Sequence, residues 1–352
     1  MSHLRSRRNI TRILHDLPIR DLSTRDSRQA LCDFIGYCVL PDVRVQVWDV
    51  TVLPQDDFAV TGYVSSLFTL KALEKASETL NQPCDTSRVV TLPEASLGTQ
   101  WLGLVIHDEC PVTDHVEQAE QVDTAVYGNP LFLLRRSESH SLVQTENGYV
   151  GWVLNRHYRL TDVSEWEEWN RLEKALFIHS AAVSGITIPA GVELPLLSRH
   201  EARLPTGATA SLADCSSDWV VHSHAEQQQI LESMARSLLK TPYVWGGVSS
   251  RGIDCSGFIR YVYRSIGILL PRDADQQFLL GRLCGFPGLT STLQAGDLLF
   301  FSGEYGGVSH VGMALNPNEF IHASLARGIC ITRLEDEPIL SRRFLLARRI
   351  LR

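Results

Sequence analysis

The sequence predicts an α+β protein whose C-terminal part lays one helix on an antiparallel sheet, and three observations carry that prediction. Apolar residues return at helical spacing at Phe258, Ile259, Val262 and Ile266, and Gly267 ends the run. Beyond it, runs at 297–301, 308–315, 319–324, 329–334 and 344–350 alternate as strands do. Upstream, short apolar runs broken by Gly, Pro and Asn replace long helices. A helix and a sheet with one apolar face each bury those faces against one another.

The elements follow in chain order as four expected domains. Residues 1–106 mix a helix over 67–80, with Leu67, Leu70, Leu73, Ala76 and Leu80 on one face, with strands at 43–48 and 58–64. This N-terminal α+β domain carries no recognisable chemistry. Residues 107–166 read as a small barrel of strands at 124–127, 131–134, 142–144 and 149–153, separated by the turns Gly128-Asn129-Pro130 and Glu146-Asn147-Gly148. Residues 167–222 form a second β-rich piece with short strands at 186–188, 192–194 and 208–210. Residues 223–352 hold the helix-on-sheet part, opened by an amphipathic helix over 227–239 that stops at Thr241-Pro242.

Composition narrows the function classes. The chain has 352 residues, long enough for two or three domains of about 150 residues each. Hydrophobic residues at 44% and charged residues at 21% exclude the disordered and fibrous classes. With 33 Lys and Arg against 40 Asp and Glu the net charge is −7, which argues against nucleic acid as a partner, since a polyanion needs a basic stripe. The longest uncharged stretch, 175–192, contains His179, Gly185, Pro189 and Gly191 and cannot span a bilayer, so no membrane partner is expected. The basic start Met1-Ser-His-Leu-Arg-Ser-Arg-Arg8 lacks the apolar core of about 7–15 residues that a secretory signal requires, and a cytoplasmic location is expected. The eight cysteines form no C-x-x-C pair, so neither structural zinc nor a disulfide framework is expected, and no cofactor.

One cysteine differs in setting. Cys255 lies where the Gly-rich segment Tyr243-Val-Trp-Gly-Gly-Val248 and Gly252-Ile-Asp-Cys-Ser-Gly257 turn into the helix. Unpaired N–H groups and the macrodipole of a first turn favour a thiolate and lower the thiol pKa. Asp254 is placed to cap that turn, and Gly252 and Gly257 to let the backbone approach a ligand closely. Asn316-Pro317-Asn318 joins the strands carrying His310 and His322. In a hairpin turning there the two imidazoles fall on one side within roughly 5–8 Å of each other, with Gly312 and Ala323 leaving room. One imidazole is then a base for Cys255 and the other its orienter. A zinc site built from the same three residues is the chemical rival, less favoured by the Gly-Ile-Asp-Cys-Ser-Gly setting. His222 and His224 form a further pair at strand-like spacing, read as polar residues at a helix entry.

At these residues the sequence resembles the NlpC-type cysteine peptidases, papain-like enzymes that cut bacterial cell-wall peptides. Six blocks carry the likeness over about 225–350: Tyr243-Val-Trp-Gly-Gly, Asp254-Cys-Ser-Gly-Phe, Leu270-Pro-Arg-Asp-Ala with Gln276, Gly296-Asp-Leu-Leu-Phe-Phe, Ser309-His-Val-Gly and Phe320-Ile-His-Ala-Ser. The resemblance implies Cys255 as nucleophile, His310 as base, His322 as orienter, and Tyr243 beside the nucleophile polarising the scissile carbonyl together with the Cys255 N–H. Gly148-Tyr-Val-Gly-Trp-Val153 resembles a bacterial SH3-like barrel. Two such barrels before the catalytic domain resemble the γ-D-glutamyl-L-diamino acid endopeptidases of murein peptides. That likeness implies small murein peptides as substrates, L-Ala-γ-D-Glu-diaminopimelate or its L-Lys counterpart, cut at the γ-D-Glu–diamino acid bond during peptidoglycan turnover or recycling. It further implies substrate contacts at Asp254, Ser256 and Ser309, and a carboxylate reading the free N-terminal ammonium, Asp273, with Glu120 and Tyr149 completing that pocket. The alternatives are a catalytically degenerate module that binds cell-wall peptide, or a papain-like amidase or transferase.

Overall fold

The protein is described by a computed structural model covering residues 21–40, 42–54, 58–221 and 227–351. The basic start of the chain and the His222 and His224 pair lie outside the described residues. Contacts divide the chain into two units, Met1–Trp101 with Leu133–Ser137, and Leu102–Phe132 with Glu138–Arg352.

In the first unit helix α1 (Arg25–Val39) opens on a reciprocal cap: the Thr24 hydroxyl accepts from the Ser27 N–H at 3.1 Å, and the Ser27 hydroxyl accepts from the Thr24 N–H at 3.3 Å. Strands β1 (Trp48–Val52), β2 (Ala59–Val64) and β3 (Asp85–Thr91) make a sheet, antiparallel between β1 and β2 and parallel between β2 and β3. The crossover to the parallel strand is helix α2 (Leu67–Thr79), where the sequence places it, capped by the Ser66 hydroxyl. The expected strand at 43–48 is instead β1, because Val50 and Val52 are the residues whose alternation reaches the core. Gly36 of α1 lies so close to the Trp48 indole that a Cβ there would sit 2.4 Å from it.

From Leu102 onward come β4 (Leu102–Val105), β5 (Glu109–Thr113), β6 (Gln121–Val126), β7 (Pro130–Arg136), β8 (His140–Thr145), β9 (Val150–Leu154) and β10 (Tyr158–Thr161), which form one sheet in the order β10-β4-β7-β8-β9-β5-β6. The four strands expected in this stretch are present, and β4, β5 and β10 join them. Helix α3 (Val163–Arg171), capped by Asp162, leads to β11 (Lys174–Phe177), the pair β12 (Ala181–Val183) and β13 (Ile186–Ile188), then β14 (Glu193–Ser198), β15 (Glu201–Arg203), β16 (Thr209–Ser211) and β17 (Trp219–Val221). Five of these strands make a second sheet, ordered β16-β15-β14-β11-β17, and β12 pairs only with β13. Trp169, Phe177, Val192, Leu194 and Leu212 fill its core.

Helix α4 (Gln227–Ser237) opens the last part. The short pair β18 (Val248–Ser249) and β19 (Gly252–Ile253) leads into helix α5 (Cys255–Arg264), followed by the single turn α6 (Ala274–Gln277). Strands β20 (Arg282–Gly285), β21 (Leu298–Ser302), β22 (Val308–Ala314), β23 (Glu319–Ser324), β24 (Gly328–Arg333) and β25 (Phe344–Arg349), with helix α7 (Pro338–Arg343) before the last, make an antiparallel sheet ordered β20-β25-β21-β22-β23-β24. Phe258, Ile259 and Val262 of α5 pack on Phe300, Val311, Met313 and Ile321 of the sheet, the expected helix-on-sheet layer. Among the described residues no helix is long and apolar enough to cross a membrane.

Candidate active site

Cys255 is the first residue of α5, and the turn before it is held by Asp254. The Asp254 carboxylate accepts from the Gly257 N–H at 2.7 Å, which caps the helix, and from the Gly246 N–H at 2.9 Å, which draws the Gly-rich segment onto the helix start. Gly252 and Gly257 serve this internal contact and leave no space for a ligand: a Cβ on Gly257 would come 2.3 Å from the Gly247 carbonyl oxygen, and one on Gly252 2.3 Å from the Val244 side chain. Asp254 is itself gripped by Arg272, whose Nη1 donates to Asp254 Oδ1 at 3.1 Å and to Ser256 Oγ at 3.0 Å while Nη2 donates to Asp254 Oδ2. Asp254 and Ser256, expected to touch substrate, are instead buried and spent on this guanidinium.

Cys255 is 7% exposed, and burial sets the protonation of its thiol. Desolvation, with the neighbouring Asp254 carboxylate adding to it, pushes the Cys255 thiol up to about 12, against the Val311 N–H, the Arg272 guanidinium and the Ser256 N–H. The lowered pKa expected from the helix start is therefore corrected: in this arrangement the sulfur rests as a thiol. The Val311 amide that meets the sulfur follows His310 in β22. Tyr243 is brought to the same place: burial raises its phenol pKa, with Cys255 and the Asp254 carboxylate close enough to raise it further.

The hairpin of β22 and β23 pairs Met313 with Ile321 and Ala314 with Phe320, a register that makes His310 and His322 diagonal neighbours on one face. His310 Nε2 and His322 Nδ1 are 2.9 Å apart, and the rings meet edge to face with centroids 5.0 Å apart. Gly312 makes this possible, since a Cβ there would lie 2.7 Å from the Phe320 ring and 3.1 Å from the His322 Cβ. Burial holds His310 down to about 4, and burial with the charges of His310 and Arg327 holds His322 down to about 3, so both imidazoles are neutral near pH 7. Two of their four nitrogens meet each other, and among the described residues no cluster of His, Cys, Asp and Glu is disposed to hold a metal ion. The arrangement sets the Cys255 thiol against β22 at Val311, next to His310, whose Nε2 is held by the second ring and whose Nδ1 is not engaged in that contact.

Comparison with known proteins places this geometry. Residues 240–349 match the model of the NlpC/P60 family. The probable endopeptidase NlpC of Escherichia coli K12 is 38% identical over 124 residues, which are 34% of this chain and 76% of that protein. The chain belongs to the NlpC/P60 family. The γ-D-glutamyl-L-lysine dipeptidyl-peptidase of Bacillus cereus is 29% identical over 205 residues, 52% of this chain and 59% of that one. A crystal structure of an NlpC/P60 family protein from Bacillus cereus ATCC 10987 superposes with a TM-score of 0.63 at 22% identity, over 71% of this chain and all of that one, a likeness of fold. The chain spans about three fifths of the length of several curated relatives that it matches.

The remaining candidates of this NlpC/P60 chain lie on separate segments. Asp273 caps α6, with Gln276 Oε1 accepting from its N–H at 3.2 Å, and Ser309 is exposed beside His310. Tyr149 is buried in the turn between β8 and β9, where its N–H donates to Asn147 Oδ1 at 3.0 Å. Glu120 is exposed before β6, its N–H donating to Asp114 Oδ1 at 2.8 Å. A polar chain ties the Tyr149 turn to the residue before Asp273: Asn147 Nδ2 donates to Asp123 Oδ2 at 3.1 Å, and Arg272 Nε donates to Asp123 Oδ1 at 2.8 Å. Glu120 is not part of that chain. Asp123 and Arg272, which brace Asp254, and Thr332, whose Oγ1 lies 3.1 Å from His322 Nε2, were not singled out from the sequence. Arg272 stood inside the quoted block Leu270-Pro-Arg-Asp-Ala, whereas Asp123 and Thr332 carry no motif at all.

Proposed function

We propose that the chain is a cysteine peptidase that hydrolyses the γ-D-Glu–L-diamino acid bond of murein peptides bearing a free N-terminal L-alanine, in peptidoglycan turnover or recycling. One observation carries the reading: His310, which meets His322 of the neighbouring strand at 2.9 Å, is followed in β22 by Val311, whose N–H meets the Cys255 sulfur. The match to the Bacillus cereus dipeptidyl-peptidase supports the finer assignment, because its 205 residues are more than the whole chain from residue 240 onward contains. That likeness therefore takes in part of the upstream β-rich region, which we read as two SH3-like barrels at 107–166 and 167–222 ahead of a papain-like catalytic domain.

In this reading Cys255 Sγ attacks the γ-glutamyl carbonyl carbon as His310 Nδ1 takes the thiol proton. The oxyanion is met by the Cys255 N–H and the Tyr243 hydroxyl. Collapse breaks the C–N bond, the leaving amine takes the proton from His310, and a thioester remains. His310 then removes a proton from water, whose oxygen attacks the thioester carbonyl and releases the γ-D-glutamyl carboxylate and the Cys255 thiol. Asp273, half-buried beside this centre, is the carboxylate assigned to the substrate ammonium, with Tyr149 and Glu120 of the first barrel and Ser309 at the rim.

Incubation with L-Ala-γ-D-Glu-diaminopimelate and its L-Lys counterpart, read by mass spectrometry, tests the proposal. The expected products are L-Ala-γ-D-Glu and the free diamino acid, with no turnover by Cys255→Ala and suppressed cleavage when the alanine amine is acetylated. Turnover by Cys255→Ala would reject the nucleophile, and equal rates on capped and free peptides would reject the ammonium pocket.

A further inference from the structure

We propose that Thr332 is a positioning residue of the catalytic centre: its hydroxyl oxygen holds His322 in the Nε2–H tautomer, the form in which His310 is able to act as base. The inference rests on reading His310 as the base for Cys255 and goes beyond it by adding a residue that no motif marks.

For His310 to take the thiol proton at Nδ1, its other nitrogen, Nε2, must carry the hydrogen of the neutral ring. That hydrogen points at His322 Nδ1, 2.9 Å away, so His322 Nδ1 must be the acceptor and the hydrogen of neutral His322 must sit on Nε2. A buried N–H needs an acceptor of its own. Thr332 Oγ1 is 3.1 Å from His322 Nε2 and is the oxygen in reach, and Thr332 is itself buried. The other neighbour, Cys330 Sγ at 3.6 Å, is a weak acceptor.

The sheet places Thr332 for this task. In the pairing of β23 with β24, His322 lies opposite Cys330 and Phe320 opposite Thr332, which sets Thr332 diagonal to His322 on the same face. The groups facing His322 are His310 from β22, the Phe320 ring with its centroid 4.8 Å away, Cys330 and Thr332 from β24, and Arg327 from the turn between β23 and β24. Arg327 Nη2 donates to Thr332 Oγ1 at 3.4 Å and is anchored by Glu337 at 2.6 Å, so a cation stands behind the hydroxyl. That cation opposes protonation of His322, and the hydroxyl between them takes the Nε2–H. Without the oxygen, the His322 hydrogen is free to move to Nδ1. His310 would then accept at Nε2, carry its own hydrogen on Nδ1, and have no lone pair for the thiol.

The test combines kinetics with nitrogen NMR of the 15N-histidine-labelled full chain. Thr332→Val is expected to lower kcat on the murein tripeptide about tenfold or more while KM changes less than about twofold, and Thr332→Ser to restore kcat. In the spectra the wild type is expected to hold His322 as Nε2–H and Thr332→Val to mix in the Nδ1–H form. A wild-type His322 found as Nδ1–H, or a Thr332→Val enzyme with unchanged kcat, overturns the proposal. The spectra decide even if the tripeptide is not cleaved, so a wrong assignment of the substrate and a wrong assignment of Thr332 give different results. The wild-type tautomer decides even if Thr332→Val does not fold.

Discussion

At the scale of single residues the decisive contest is between helix start and burial at Cys255. A helix terminus contributes about 0.3–1 kcal/mol to a nearby charge, less than the 1.36 kcal/mol of one pKa unit, whereas full burial moves a group by several units. Burial wins, and the thiol is pushed up to about 12 while His310 is held down to about 4. The pair thus rests as neutral thiol and neutral imidazole, and proton transfer accompanies attack on the carbonyl instead of preceding it. Alkylation of Cys255 by iodoacetamide, followed site by site with mass spectrometry, is expected to rise about tenfold per pH unit through neutrality without levelling off below about pH 9. A plateau near pH 5–6 would mean a preformed thiolate–imidazolium pair and would overturn this account. Cys255, His310 and His322 were legible in the sequence as candidate nucleophile, base and orienter because they stand in recognisable blocks. It did not make the protonation states legible, because a spacing locates a helix start and carries no measure of how deeply the first residue is buried.

Among the elements, the β22–β23 hairpin was readable in full: alternation fixes which side chains share a face, and Asn316-Pro317-Asn318 fixes the turn. Strand β20 was not, because Arg282 and Leu283 are exposed and it has no alternation; it is a strand through its pairing with β25. The hairpin carries its own pH dependence. An unfolded histidine takes a proton near pH 6.5, while His310 resists down to about 4 and His322 to about 3. Between these values the unfolded chain binds more protons, so stability contributed by the pair is fully present above about pH 6.5 and is lost as pH falls toward 4. The expected slope is about 1.4 kcal/mol per pH unit for each histidine. Urea unfolding at pH 7.5 and pH 5.0 checks it: the wild type is expected to lose about 2–4 kcal/mol more than a His310→Gln/His322→Gln variant over that interval. Equal losses in the two proteins would show that the imidazoles are not buried as neutral groups.

Across the larger unit, the nucleophile's helix is held by charges that lie far from it in sequence. Arg264 of α5 donates to Glu146 at 2.8 Å, in the turn between β8 and β9, and to Glu193 of β14 at 3.1 Å, so both upstream sheets reach the helix. Thr124 of β6 donates to the Gly246 carbonyl at 2.8 Å, and Ser249 donates to Glu109 of β5. At the centre Asp123, fully buried, takes Arg272 at 2.8 Å and has Arg260 at 3.6 Å, while Asp254 takes Arg272 on the side of the thiol. Two guanidinium groups and two carboxylates balance there. None of this was legible in the sequence, where an acidic residue such as Asp123 or Glu193 on a β-strand reads as a solvated charge until its partner, 149 or 71 residues away, is known. The balance makes Asp123 the sensitive member. Asp123→Asn would take the carboxylate away from Arg260 and leave Arg272 with its contact to Asp254, and breaking a buried pair in this way costs about 3–5 kcal/mol. The variant is expected to unfold at correspondingly lower urea and, where still folded, to hydrolyse murein peptide more slowly, because Arg272 is the group that braces Asp254 at the start of α5. Adding Arg260→Met to Asp123→Asn removes the surplus cation and is expected to recover part of the lost stability while leaving hydrolysis slow. A single Asp123→Asn variant within about 0.5 kcal/mol of the wild type, or a double variant at full activity, would show that the upstream sheet does not position the nucleophile's helix through this carboxylate.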